Sequence, residues 1–307
     1  MSKHKNPLVS VVIPFLNVKD FLPETIGSVL NQEYTNWEII LIDDGSTDGS
    51  TEIARKYAAE SNGKIIYTEH PDHSNWGAAA SRNLGVSKAR GEWLAFLDAD
   101  DFWLPQKLKE QIEILQKNPE ATALCEGTTY WYSWCNPQSK DLLIPVGAAA
   151  GKLYFPPALA LKLYPLGKGH SFATCGLIIK TNAFRRIGGF DESFTGNNQL
   201  YEDQVLYTKI YLHEKVYISS GSNNLYRQRP DSLMHGLLSE GYYMQGRYYF
   251  LKWLINYLQQ KNIHDKKIWQ KVDRALWPYK YPLLHRVNQM PGRVIRKLRS
   301  IYEKMTR

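Results

Sequence analysis

Short apolar runs alternate with helical patterns through the first third of the chain. The runs are LVSVVI at 8–13, WEIILI at 37–42, KIIY at 64–67 and WLAFL at 93–97. Stretches with helical patterning lie between them, near 20–31, 49–60 and 78–89. Strand followed by helix, repeated, predicts an α/β fold with a mostly parallel sheet covered by helices on both faces. In such sheets ligands bind just beyond the carboxyl ends of the strands. The polar clusters fall there: PFLN after the first run, DDGSTDGS after the second and DADD after the fourth.

From 121 to 180 the pattern is mixed. An aromatic strand-like stretch, TTYWYSW, precedes a segment punctuated by Pro and Gly, YFPPALALKLYPLGKGHSF. Composition is compatible with the acceptor-facing half of an α/β enzyme and equally with an elaborate core. Then come TCGLIIK, a helix, the turn IGGFDE, a loop and the helical spacing of YEDQVLYTKIYLH. From 236 onward the chain reads as helical, aromatic and basic. The expected organisation is a tail at 1–7, a main domain at 8–235 and a helical extension at 236–307.

Charge sharpens this division. Residues 240–307 hold 15 Lys and Arg against 4 Asp and Glu, in a chain whose net charge is +8, so residues 1–239 carry about −3. A main domain without basic excess argues against nucleic acid as its partner. The start, MSKHKNP, has no apolar signal region and no stretch is apolar for the ~18 residues of a membrane span, so a cytoplasmic location is expected. Cys125, Cys135 and Cys175 form no C-x-x-C pair and read as small buried residues.

The chemistry concentrates at the strand ends. GEWLAFLDADDFW sets Asp98, Asp100 and Asp101 within four positions. Carboxylates this close repel unless positive charge joins them. A divalent cation such as Mg²⁺ or Mn²⁺, bridging one or two carboxylates to a nucleotide diphosphate, would supply it. The alternative is that one Asp caps the helix starting near Pro105. Asp43 and Asp44 end the second strand. A carboxylate there can accept the imide N–H of a pyrimidine base or the corresponding edge of guanine, or it can close an Asx turn, with Asp48 as N-cap of the next helix.

In NWGAAASRN, Arg82 is a cation within reach of an acidic cleft and suits a diphosphate, although a surface ion pair is the plainer reading. Glu202 and Asp203 begin a helix, where acids commonly face the helix dipole. If one faces the cleft it becomes a candidate general base. YRQRPDSLMHG adds Arg227, Arg229 and His235, which could contact phosphate or acceptor, complete a metal shell, or lie in a solvated loop.

Taken in order, these motifs resemble glycosyltransferase family 2, nucleotide-sugar-dependent enzymes of the GT-A fold. SVVIPFLN, IDDGSTD, NWGAAASRN, FLDADD and GGFDE followed by YEDQVL carry the resemblance across residues 8–230. It implies that Pro14, Phe15, Asn17, Asp43, Asp44, Arg82, Asp98 and Ala99 contact the nucleotide of a donor, with a UDP-sugar favoured. It further implies that Asp98, Asp100, Asp101 and His235 surround Mn²⁺ or Mg²⁺, and that Asp203 is the base of an inverting transfer to a glycan or lipid-linked hydroxyl. Ser81 departs from the family's usual Ala, and YRQRPDS is a loose version of its later Arg-containing stretch.

The resemblance does not reach 240–307. There Val294, Ile295, Leu298, Ile301, Tyr302 and Met305 share one face, with Arg293, Arg296, Lys297, Arg299 and Lys304 mostly elsewhere. This basic amphipathic pattern fits an anionic membrane surface or, equally, packing on the catalytic domain or a second subunit. Competing classes are a catalytically silent nucleotide-sugar-binding protein, a dehydrogenase and a nucleotidyltransferase. The last two lack their Gly-rich loops, since PFLN stands at the first strand end.

Overall fold

The computed structural model describes residues 6–229, 236 and 240–289. His235, most of the N-terminal tail and the amphipathic pattern at 294–305 lie outside the described residues. The chain divides into two compact units, 1–246 and 247–307.

The first unit begins with the expected alternation. Strands β1 (Val9–Phe15), β2 (Trp37–Asp43), β3 (Ile65–Glu69) and β4 (Trp93–Phe96) alternate with helices α1 (Leu22–Leu30), α2 (Ser50–Glu60) and α3 (Ala78–Lys88). Every residue of β2 and β4 is buried, as required of strands covered on both faces. β1 pairs in parallel with β2 from Val9↔Trp37 to Phe15↔Asp43, and with β4 from Val9↔Trp93 to Val12↔Phe96. α3 lies close to the sheet because Gly85 carries no side chain: a Cβ there would stand 2.6 Å from Ile42 Cδ1 and 2.7 Å from Val12 Cγ1.

Short elements follow: β5 (Phe102–Trp103), α4 (Lys107–Lys117), β6 (Ala123–Cys125), β7 (Thr128–Trp131), β8 (Leu142–Ile144), β9 (Lys152–Tyr154), α5 (Ala158–Lys162), β10 (Leu177–Lys180), α6 (Thr181–Arg186), α7 (Glu202–His213), β11 (Val216–Ile218) and β12 (Asn224–Arg227). The large sheet has the order β3-β2-β1-β4-β10-β6-β11-β9, and a small one the order β5-β12-β7-β8. β10 runs antiparallel to both neighbours, β4 and β6, interrupting the parallel pattern. The strand order reverses between β1 and β4, where an open α/β sheet forms its ligand crevice. α7 is buried all round from Val205 to Leu212. Its one lysine, Lys209, reaches the Gly188 and Gly189 carbonyls at 3.2 and 2.8 Å.

Two local expectations change. Cys125 and Cys175 are buried but Cys135 is exposed. The N-cap position of α2 is Gly49, and Asp48 instead accepts from Ser50 N at 2.9 Å and Lys19 N at 3.0 Å. Its carboxylate is thus shared between two loops. In α8 (Tyr243–Gln260), Phe250, Leu251, Leu254 and Leu258 are buried at helical spacing. α9 (Lys266–Lys280) is capped by Asp265, which accepts from Lys267 N and Ile268 N, and α10 (Pro282–Gln289) follows. No helix among the described residues is long and apolar enough to cross a membrane.

Candidate active site

Beyond β4 the acidic loop turns at once: Asp101 N donates to Asp98 O at 3.0 Å. Thr25 of α1 donates its hydroxyl to the Ala99 and Asp101 carbonyls at 2.9 and 2.8 Å, so the loop backbone is pinned by a helix. Asp98, Asp100 and Asp101 line a cavity of about 740 Å³ together with Arg82, Glu202, Asp203 and Arg229. Residues from four separate sequence motifs therefore meet.

Arginines supply the positive charge that the carboxylates require. Arg82 Nη2 donates to Asp98 at 2.7 Å, its Nη1 donates to Glu202, and Arg229 Nη2 donates to Asp100 at 2.7 Å. Burial opposes the charge on Arg82, but the Glu202 and Asp98 carboxylates more than offset it and hold the group above its ordinary value. Its guanidinium also lies 5.2 Å from the centre of the Phe190 ring. Phe190 belongs to the GGFDE turn, which Asn83 grips by accepting from Phe190 N and donating to Phe190 O, both at 3.1 Å. ASRN and GGF are thus two halves of one joint. Burial raises the Asp100 carboxyl, Arg229 counteracts it and the Asp98 charge adds to it.

Asp101 sits differently from its neighbours. It is fully buried and accepts from Arg227 N at 3.0 Å, tying the loop to β12. Burial, then the Asp100 and Asp98 charges, push its carboxyl well above the ordinary range. Expected beside the metal, it does line the same cavity as Asp98 and Asp100, and it also fastens the loop to the small sheet.

Asp203 is the second residue of α7. Its Oδ1 accepts from Gln204 N at 2.6 Å and its Oδ2 from Gln204 Nε2 at 3.2 Å. Burial, followed by the Glu202 charge, raises it to about 7. A carboxyl poised near neutrality is what a general base at physiological pH needs. Burial also raises Glu202, against the pull of Arg82.

Pro14, Phe15, Asn17, Asp43, Asp44 and Ala99 do not line the cavity. Phe15 and Ala99 are buried in the core. Pro14 is half-buried in β1. Asn17 Oδ1 accepts from Thr47 N at 2.7 Å. Asp43 accepts from Ser46 N at 2.8 Å, and Asp44 accepts from Trp76 N at 2.8 Å and Gly77 N at 3.1 Å. Asp43 thus closes its own turn, the local alternative to base recognition, whereas Asp44 ties its loop to the distant Trp76–Gly77 backbone and forms no Asx turn. Asp43, Glu69 and His73 place ligand-type atoms within 4.8 Å of one another. Both ring nitrogens of His73 are engaged, by Glu69 at 2.9 Å and Ser46 O at 2.8 Å, so the group is a closed hydrogen-bond network.

Arg227 is not at the cavity either. Its main-chain N–H bonds Asp101, its Nε donates to Asp100 O at 2.7 Å, its Nη2 reaches Glu24, and the Phe21, Trp131 and Trp134 rings lie 4.5–5.0 Å from the guanidinium. A guanidinium so enclosed holds strands together and is unavailable as a phosphate contact.

The cavity wall includes residues that no motif announced: Thr128, Tyr130, Lys168, His170, Thr174 and Tyr226. One signal was present. Thr128 and Tyr130 alternate along TTYW, and alternate residues of a strand share a face.

An open α/β sheet with a carboxylate loop beyond its switch-point strand and a neutral-range aspartate opposite defines a GT-A-type site. The sequence profile described as Glycosyl transferase family 2 matches residues 10–188. The chain belongs to glycosyltransferase family 2. It is 37% identical over 111 residues, 36% of this chain and 42% of the relative, to the Escherichia coli UDP-Glc:alpha-D-GlcNAc-diphosphoundecaprenol beta-1,3-glucosyltransferase WfgD. The first curated relatives, 32–42% identical, are spanned over 43–64% of their own length. S. aureus TarS 1-349 in complex with UDP-GlcNAc superposes with a TM-score of 0.64 at 18% identity, over 92% of this chain and 76% of that one. The Pyrobaculum calidifontis mannosyltransferase PcManGT, in complex with GDP-Man and Mn²⁺, superposes at 0.56 and 15% identity over 98% and 81%.

Proposed function

We propose that this protein is an inverting glycosyltransferase that moves a sugar from a UDP-sugar to a hydroxyl of a glycan or lipid-linked acceptor. The observation that carries the reading is Asp203, a carboxyl poised at about 7 and lining the same cavity as Asp98 and Asp100. Asp203 takes the acceptor hydroxyl's proton while that oxygen bonds to the anomeric carbon and the bond to the diphosphate oxygen breaks. A single displacement of this kind inverts the anomeric centre. The donor class is supported by the UDP-Glc named for the E. coli relative and the UDP-GlcNAc bound to TarS.

Asp98 and Asp100 offer hard carboxylate oxygens to the cavity, a donor set that suits Mn²⁺ or Mg²⁺. The Mn²⁺ bound to PcManGT supports the same assignment. Bound there, the ion supplies positive charge against the departing nucleoside diphosphate. Arg82 and Arg229 hold the two carboxylates in place and remain beside the diphosphate as hydrogen-bond donors. Nucleotide contacts from Pro14, Asn17 and Asp44 belong to this reading, because the β1 and β2 ends flank the crevice.

The helical extension at 236–307 is proposed as an appendage to the catalytic domain, with the basic residues 293–304 meeting anionic lipid. Sedimentation with anionic vesicles, comparing the full chain with one ending at 290, checks this; equal binding refutes it. The catalytic reading is tested by calorimetric titration of UDP and GDP with and without Mn²⁺. Manganese-assisted UDP binding is expected. Heat-silent titrations with every pair would overturn the proposal.

A further inference from the structure

The segment from Leu163 to Ser171 is a tightly closed loop. Tyr164 N donates to Gly169 O at 2.7 Å, Gly167 N to Leu163 O at 2.7 Å, Gly169 N to Lys162 O at 3.0 Å, and Gly147 N to His170 O at 2.9 Å. The backbone is packed against itself: a Cβ on Gly167 would stand 2.1 Å from the Lys162 carbonyl carbon, and one on Gly147 would stand 2.3 Å from Gly169 Cα. Glycine is therefore required for this path.

The loop holds two cationic-type side chains at the cavity, Lys168 and His170. Both are exposed, and neither side chain makes a hydrogen bond or ion pair among the described residues. This contrasts with Arg82 and Arg229, whose charge is engaged by Asp98, Glu202 and Asp100. A tightly closed backbone thus presents an ammonium and an imidazole that no side chain among the described residues engages.

The loop's attachments show which substrate it faces. Ser171 Oγ donates to Gln204 Oε1 at 3.3 Å, and Gln204 in turn bonds Asp203 through its N–H at 2.6 Å. The Tyr164 hydroxyl bonds that of Tyr201, the residue before α7. The loop is therefore built onto the shoulder of the general base, where an acceptor hydroxyl must come.

We propose that Lys168 and His170 bind a phosphate carried by the acceptor, so that the acceptor is a phosphate-linked sugar and not a neutral glycan. This rests on the glycosyltransferase reading above and names its second substrate class. An ammonium beside an imidazole suits phosphate oxygens as a point charge and a donor. Because the donor also carries phosphate, the test must separate the two sources.

Hexyl phosphate is the probe, titrated calorimetrically into the full chain saturated with UDP and Mn²⁺, with hexanol as the phosphate-free control. Binding of hexyl phosphate with UDP in place is expected, with hexanol at least tenfold weaker. Lys168→Gln with His170→Gln is expected to lower hexyl phosphate affinity at least tenfold while leaving UDP affinity within twofold, which also reports an intact fold. Each single variant should show part of the loss. Displacement of hexyl phosphate by UDP, equal binding by the variants, or no binding by the wild type overturns the proposal. Manganese-assisted UDP binding alongside any of these leaves the transferase reading standing; its failure removes both.

Discussion

Arg82 and Glu202, 120 residues apart, meet as an ion pair at the cavity wall, and the same guanidinium reaches Asp98 at 2.7 Å. One buried cation thus offsets two carboxylates from different motifs. Replacing it leaves Glu202 charged and nearly enclosed, which typically costs about 3–5 kcal/mol. Arg82→Met is expected to lower unfolding free energy by that order in urea titration at pH 7.5. Adding Glu202→Gln should recover much of the loss. Independent, additive effects in this double-mutant cycle would show that the pair does not matter to the fold.

Asp203 should govern rate through its proton. A free-enzyme base held at about 7 predicts that kcat/KM falls roughly tenfold per pH unit below that point. Asp203→Asn should cut turnover by about 10²–10⁴-fold with UDP affinity nearly unchanged, and should erase the acidic limb. A variant retaining that limb would assign the base to another group.

The adjacent acids of the loop should behave as opposites. Asp100→Ala is expected to weaken manganese-assisted UDP binding at least tenfold with modest effect on stability, since its carboxylate is partly exposed at the cavity, whereas Asp101 on the same wall is fully buried. Asp101→Ala leaves the buried N–H of Arg227 without its acceptor, which costs about 1–3 kcal/mol. Its UDP affinity, measured on the folded fraction, should change little. Equal UDP losses in both variants would mean that Asp101 is a ligand after all.

Much of this architecture was legible because the β1–β4 half is local in pattern. WEIILI at 37–42 became Trp37–Asp43 and WLAFL at 93–97 became Trp93–Phe96. The reversed β10 was not legible, because nothing in LIIK states that its partners are β4 and β6. Motif order flagged Arg82, Asp98, Glu202 and Asp203, and the fold brings them to one cavity. Spacing could not separate Asp100 from Asp101, since both lie at the cavity wall and differ only in that Asp100 is partly exposed and paired with Arg229 while Asp101 is fully buried and accepts from the Arg227 main chain. Nor could it reveal Lys168 and His170, whose position depends on Gly147 and Gly169 touching across 22 residues of chain.

The pH dependence of stability offers an independent reading of Asp203. Its folded value of about 7 stands above the ordinary 3.8, so folding favours the protonated carboxyl. Below about pH 4 both states are protonated and the group is neutral in effect. Between 4 and 7 the unfolded chain ionises while the native site resists, so the penalty grows with pH and becomes constant above 7. Asp203→Asn removes the penalty. Its melting temperature should match wild type near pH 4 and exceed it at pH 8, measured by calorimetry in EDTA. Activity and stability would then oppose each other at one side chain, as expected where a desolvated group is kept for its chemistry. A variant that melts lower at pH 8 would show that Asp203 is a stabilising partner of its surroundings and not a strained base.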